Sequence, residues 1–280
     1  MKLYAISDLH LANKPNRDAL LNLSNYKDDW LILAGDIGET AELFKFALST
    51  LTNKFKQVIW VPGNHDLWSF PLDKEGIKGE DKYYQLVKIC KNYSVLGPED
   101  EYPKIILDNK QYIIVPTFTL YDYSFRPANI SLQRALDWAL ESGVKCIDED
   151  LLFPNPYDSI AEWCQKRCEY TELRLAKIPA NTPIILINHY PILEEHARLW
   201  SFPRFILWCG TKRTENWLKK YSIKLVVYGH LHIRGTKYKD GIRYEEVSLG
   251  YPGDWDERLG MDYYLREIGI CVGNKHSCFV

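Results

Sequence analysis

The stretch LYAISDLH, residues 3–10, joins a short apolar run to an aspartate and a histidine one residue apart. Such a run is too short for a stable helix and suits a strand buried on both faces. The arrangement recurs outward along the chain. Apolar runs at 30–34 (WLILA), 58–62 (VIWVP), 112–116 (YIIVP), 183–187 (PIILI) and 224–228 (KLVVY) read as further strands. Asp36 follows the second run in AGD, and Asn64 and His65 follow the third in GNHD. His189 closes PIILINH, and His230 and His232 follow KLVVY in GHLH. Polar side chains at the carboxyl ends of neighbouring buried strands point into one crevice. Five of the seven histidines belong to this set.

Helical patterns lie between several of the runs. Over 40–55, Leu43, Ala47 and Leu51 make a stripe that Phe44 and Leu48 widen. Segment 159–176 opens with Ser159 and Glu162 in capping-box spacing, and Ile160, Trp163, Cys164 and Leu175 make its buried face. Segments 80–93 and 212–221 also read as helices. Strand alternating with helix argues an α/β layered fold. The stretches 242–250 and 263–270 read as strands without helices between them, so mixed sheets are expected. Residues 122–131 and 154–156 read as insertions within one domain spanning 1–280.

Composition narrows the function classes. Of 280 residues, 46% are apolar and 26% charged, ordinary for a soluble globular protein. The formal net charge of −2, with no basic run or tail, argues against a nucleic-acid partner. The start MKLYAISD has no signal-peptide pattern, and no apolar run reaches the roughly 18 residues that span a membrane. Seven cysteines without a CxxC pair read as buried small hydrophobes in a reducing, cytoplasmic setting. No coiled-coil stripe is present, so a monomer is the default expectation.

Each polar motif has an ordinary reading when taken alone. Asp-x-His after a strand caps turns, Gly-Asp is common turn chemistry, and a lone histidine is usually just hydrogen-bonded. Five such coincidences in this order are another matter. The ordered set D-x-H, GD, GNHD, H and GHLH, from Asp8 to His232, resembles the calcineurin-like metallophosphoesterase superfamily. The resemblance implies a four-layer α/β-β/α sandwich with two mixed β-sheets flanked by helices. It also implies two divalent metal ions, one held by Asp8, His10, Asp36 and His232. The other is held by Asp36, Asn64, His189 and His230, so that Asp36 bridges. Paired cations neutralise the phosphate oxygens and lower the pKa of a bound water, giving hydroxide as nucleophile. A donor set rich in imidazole favours Mn, Fe or Zn over Mg. His65 matches the outer-sphere histidine that protonates the leaving oxygen, and the adjacent Asp66 is expected to fix its tautomer. His196 and His276 match nothing and are expected to be surface or structural.

The substrate is read from the segments around the metals. Protein Ser/Thr phosphatases of the superfamily carry an arginine where GDIGETA places Thr40, which argues against that branch. LYDYSF (120–125), LWCGT (207–211), VYGHLHI (227–233) and RYEEVSLGYP (243–252) resemble the phosphopantetheinyl hydrolase branch. That likeness implies hydrolysis of the phosphodiester between 4′-phosphopantetheine and the serine of a holo acyl carrier protein. Tyr121, Tyr123, Trp208 and Cys209 are then expected to line the leaving-group side. Acyl carrier proteins are strongly acidic, so Arg234 and Lys237, with Lys239, Arg243, Lys212 and Arg213, are expected to form a basic docking rim. A small or nucleotide diester is the alternative substrate. A catalytically silent protein-binding scaffold is a third reading, disfavoured because every ligand position is filled.

Overall fold

The computed structural model describes residues 1–70 and 76–269. Its elements run β1 (Leu3–Ile6), α1 (Lys14–Asn22), β2 (Tyr26–Leu33), α2 (Ala41–Thr52), β3 (Phe55–Trp60), α3 (Asn64–Leu67), α4 (Glu80–Asn92), β4 (Lys104–Leu107) and β5 (Lys110–Pro116). There follow α5 (Ala135–Leu140), α6 (Asp148–Leu151), α7 (Ile160–Leu175), β6 (Ile184–Ile187), α8 (Glu215–Lys220) and β7 (Ile223–Tyr228). The chain continues through β8 (Gly235–Lys239), β9 (Ile242–Glu246), α9 (Gly260–Tyr264) and β10 (Arg266–Glu267).

Two mixed sheets result. One has the order β10-β1-β2-β3, parallel except for β10; the other is β4-β5-β6-β7-β9-β8, parallel through β5-β6-β7-β9 with an antiparallel strand at each edge. The period of two sends alternate side chains to opposite faces. Leu3, Ala5, Ile32, Ala34, Ile59 and Val61 of the first sheet thus meet Ile114, Ile185, Ile187, Leu225 and Val227 of the second in one apolar layer. The other faces pack under the helices in a second core that includes Phe44, Leu48, Leu86, Trp163 and Trp217. The expected layered sandwich of two mixed sheets flanked by helices is what forms. The sheets touch at the site end, where Ser7 bridges in parallel to Ser248.

Local chemistry explains the element starts. Thr40, in the place of the phosphatase arginine, caps α2 by accepting from the Leu43 amide at 3.3 Å. Ser159 does the same for α7 with the Glu162 amide at 3.1 Å. The stretch 263–270 departs from expectation: it begins inside α9, and β10 has only two residues. The strand expected over 242–250 ends at Glu246. Five described cysteines, Cys90, Cys146, Cys164, Cys168 and Cys209, are free thiols and buried. His276 lies outside the described residues. His196 is buried, so it is structural and not at the surface. Among the described residues no helix is long and apolar enough to cross a membrane.

Candidate metal centre

The first sheet delivers Asp8 and His10 after β1, Asp36 after β2, and Asn64 and His65 after β3. The second delivers His189 after β6, then His230 and His232 after β7. All lie at the carboxyl ends of their strands, where the sheets meet. Asp8, His10, Asp36, His230 and His232 have left-handed backbones, with φ of 54°, 41°, 54°, 73° and 53°. Non-glycine residues adopt this region uncommonly, and such conformations gather at functional sites. Two glycines make the close approach possible. A Cβ on Gly35 would lie 2.5 Å from His189 Nδ1, and one on Gly229 would lie 2.3 Å from Asp8 Oδ2.

Three groups of buried and half-buried donors converge: Asp8 with His10 and His232, Asp36 with His189 and His230, and His10 with Asp36 and His65. Within each, the donor atoms lie within 4.8 Å of one another. The first two groups correspond to the two expected ligand sets. The third shows that His65 stands close enough to share donors with them. His10 Nε2 and His232 Nε2 are 3.1 Å apart, and two ring nitrogens this close need a proton or a cation between them. His230 Nε2 is buried with no hydrogen-bond partner. This donor set fits divalent metal ions.

Surrounding groups aim the donors. A carbonyl can only accept, so His189 carries its hydrogen on Nδ1, bonded to Ala34 O at 2.9 Å, and turns Nε2 to Asp36 Oδ2 at 3.4 Å. His232 Nδ1 likewise donates to Asp254 at 3.0 Å, which turns its Nε2 to Asp8 Oδ1 at 3.3 Å. Asp8 Oδ2 accepts from Ser7, Ser248 and the His230 amide. Asn64 Nδ2 donates to Asp148 Oδ1 at 3.0 Å, so its carbonyl oxygen faces His189 Nε2 at 3.2 Å. Burial and the neighbouring carboxylates pull these histidines in opposite directions. Burial opposes charge on His189, yet Asp36 outweighs it and lifts the pKa to about 10. Burial also opposes charge on His232, but its hydrogen bond to Asp8 raises it to about 9. Burial, reinforced by neighbouring histidines, holds His10 at about 4 and His230 at about 3.

Asp66 is not the tautomer holder expected for His65. Its carboxylate accepts the backbone amides of Gly63, Asp36, Ile37 and Gly38 at 2.8–3.2 Å, stapling the AGD loop to the GNHD turn. Glu39 takes that place instead, with Oε1 3.2 Å from His65 Nδ1. The His65 ring rests on Trp68 at 3.6 Å between centroids, and the Trp68 indole is tied to Asp148 at 2.7 Å. Tyr251 stacks on His10 at 4.2 Å, and its hydroxyl lies 3.4 Å from His65 Nε2. Sequence reading missed Glu39, Trp68, Asp148, Tyr251 and Asp254. Glu39 had a signal, standing three residues after Asp36 on the same loop.

The expected substrate residues fare differently. Tyr121, Trp208 and Cys209 are buried among core side chains and form no wall of the crevice. Tyr123 and Trp208 share Glu149 as acceptor, at 2.8 and 2.6 Å. Besides Trp68 and Tyr251, the aromatics nearest the centre are Tyr190, 4.7 Å from the ring of His230, and Phe205, near parallel to it at 6.0 Å. Arg234 is also corrected: its guanidinium points inward to the carbonyls of Val247, Ser248 and Tyr264. Arg243 is engaged by Glu245 and Gly269 O. Lys237 is exposed on β8.

The profile of the calcineurin-like phosphoesterase family matches residues 1–234. The chain is 42% identical over 270 residues to the acyl-carrier-protein phosphodiesterase PptH of Mycobacterium tuberculosis, covering 95% of this chain and 82% of that one. The crystal structure of phosphopantetheinyl hydrolase PptH from Mycobacterium tuberculosis matches with a TM-score of 0.89 at 40% identity, over 95% of each chain. With its buried donors gathered where two sheets meet, the chain belongs to the calcineurin-like phosphoesterase family and is a metal-dependent phosphoric ester hydrolase.

Proposed function

We propose that the chain releases 4′-phosphopantetheine from a holo acyl carrier protein, through a centre holding two divalent cations. The observation that carries this reading is the likeness to PptH along 95% of the chain, not at the metal motifs alone. Asp8, His10, Asp36 and His232 would hold one cation, and Asp36, Asn64, His189 and His230 would hold the other. Imidazole with carboxylate and amide oxygen suits Mn, Fe or Zn. When bound, such cations neutralise phosphate oxygens and acidify a water.

The chain's own residues do the rest. Ser7 and Ser248 hold one oxygen of Asp8 and leave the other turned to the centre. Asp148 keeps the oxygen of Asn64, not its nitrogen, directed inward. Glu39 anchors Nδ1–H of His65, so Nε2 is the nitrogen that faces the reacting atoms. His65 delivers a proton from Nε2 to the departing serine oxygen, a general-acid task worth typically 10² to 10⁴ in rate.

The test loads the protein with Mn²⁺, adds holo-carrier protein, and follows conversion to the apo form by intact-mass spectrometry. Bis(p-nitrophenyl) phosphate runs alongside. Apo-carrier accumulation is expected. Hydrolysis of the small diester with the carrier untouched would move the assignment to a small or nucleotide diester, and inertness toward both would favour a silent scaffold.

A further inference from the structure

Tyr251 reaches the centre from outside the strand-end motifs. The backbone before it is tied to the loop that carries Asp8. Leu249 N donates to Ser7 O at 2.8 Å, Gly250 N donates to Asp8 O at 3.1 Å, and Gly250 O accepts from Asn16 Nδ2 at 2.9 Å. The Tyr251 amide donates at 2.8 Å to Asp254 Oδ2, the same oxygen that takes Nδ1–H of His232 at 3.0 Å. One carboxylate oxygen therefore holds both a candidate ligand and the start of the tyrosine.

From that anchor the ring lies across three imidazoles. It stacks on His10 at 4.2 Å between centroids with 18° between planes, meets His232 edge-on at 5.0 Å, and stands 6.4 Å from His65. A tyrosine has only two side-chain torsions to fix, so these contacts set where its hydroxyl points. The hydroxyl lies 3.4 Å from His65 Nε2, while Nδ1 of the same ring faces Glu39. The residue is 42% exposed, so a ligand entering the crevice meets it.

That position is chemically particular. In the proposed reaction the departing oxygen comes within about 3 Å of His65 Nε2 to take its proton. An oxygen there can also lie within hydrogen-bond reach of the Tyr251 hydroxyl, because both donors flank one point in space. A phenol keeps its proton at neutral pH and is a donor without charge, so it does not repel bound cations. The departing oxygen gains negative charge as its bond to phosphorus breaks. A fixed donor aimed at growing charge lowers the barrier more than it tightens substrate binding.

We infer that Tyr251 is a further catalytic residue, its hydroxyl donating a hydrogen bond to the departing oxygen beside His65. The electron pair of the broken P–O bond stays on that oxygen, the transferred proton comes from His65, and Tyr251 keeps its own. This rests on the proposed role of His65 as the acid, not on the carrier being the substrate. The test compares the unaltered Mn²⁺-loaded protein with Tyr251→Phe, which keeps the ring on His10 and removes only the hydroxyl. The substrates are bis(p-nitrophenyl) phosphate, diphenyl phosphate and holo-carrier protein. Nitrophenoxide leaves readily unaided, whereas phenoxide and the serine alkoxide need their charge met. Tyr251→Phe is expected to lose on the order of 10- to 100-fold in kcat on the two poorer leaving groups, and much less on the nitrophenyl diester. KM and metal content per chain are expected to stay in place. Undiminished kcat on the poorer leaving groups would overturn the inference, as would equal loss on both small diesters. Loss of metal would instead make the tyrosine a support for His10. His65→Ala, run in parallel, separates the two readings. If its loss does not depend on the leaving group, His65 is not the acid and the inference falls with it; if only Tyr251→Phe lacks that dependence, Tyr251 alone is struck. A protein inert toward all three substrates would overturn both.

Discussion

Asp66 and Glu39 show what sequence proximity can and cannot say about a side chain. Asp66 is adjacent to His65 in the chain, but it is the third residue of the short helix α3, and its carboxylate turns back to four backbone amides. Glu39 is 26 residues away and touches the imidazole. The candidate ligands were legible because a strand end fixes where its next residues go. The groups that orient them were not, because loops bring those together. Replacing Glu39 by Gln keeps the volume and removes the negative charge that holds Nδ1–H. The rate on either substrate is expected to fall by about 10- to 100-fold, with metal content per chain unchanged when measured by mass spectrometry. Loss of metal instead would identify His65 as a ligand, the role its place beside His10 and Asp36 would then require.

At the scale of elements, the amphipathic stripes over 40–55 and 159–176 and the run at 80–93 found α2, α7 and α4 to within a few residues. Turn chemistry was left unread. Asp240 and Gly241 are both left-handed and close the two-residue hairpin between β8 and β9, as Asp108 and Asn109 do between β4 and β5. An Asp-Gly pair is the sequence mark of such a turn. Arg167 on α7 hid differently: a charged residue in an apolar stripe, it is buried with Glu99 at 2.6 Å and lies over Tyr83 and Phe118. His196, in the 3-10 turn Glu194–His196, carries a prediction for this level. Its ring meets Tyr244 edge-on at 4.5 Å, and burial, with Lys237, lowers its pKa to about 4. The unfolded chain takes up that proton near pH 6.5, so this residue's contribution to stability is complete above pH 6.5. It is lost as the pH falls through 6.5 toward 4. The urea midpoint is expected to drop over that interval, and His196→Phe to drop less. Parallel curves for the two proteins would remove His196 as the cause.

Across the whole molecule, four of the seven expected ligands come from one sheet and three from the other. Chelation is therefore expected to lower Tm by several degrees, since cations that bind the native state alone stabilise it by mass action. An unchanged Tm after metal removal would mean that the apolar layer holds the sheets without help. The same division has a kinetic reading. Asn64 and His189, which meet at 3.2 Å, are 125 residues apart in the chain. The donors expected for each cation are drawn from both sheets, so capture of the cations is expected to follow the ordering of the two sheets. A divalent cation held there is then expected to slow unfolding and leave the refolding rate untouched, so that its removal shortens the life of the folded protein without making it any harder to form.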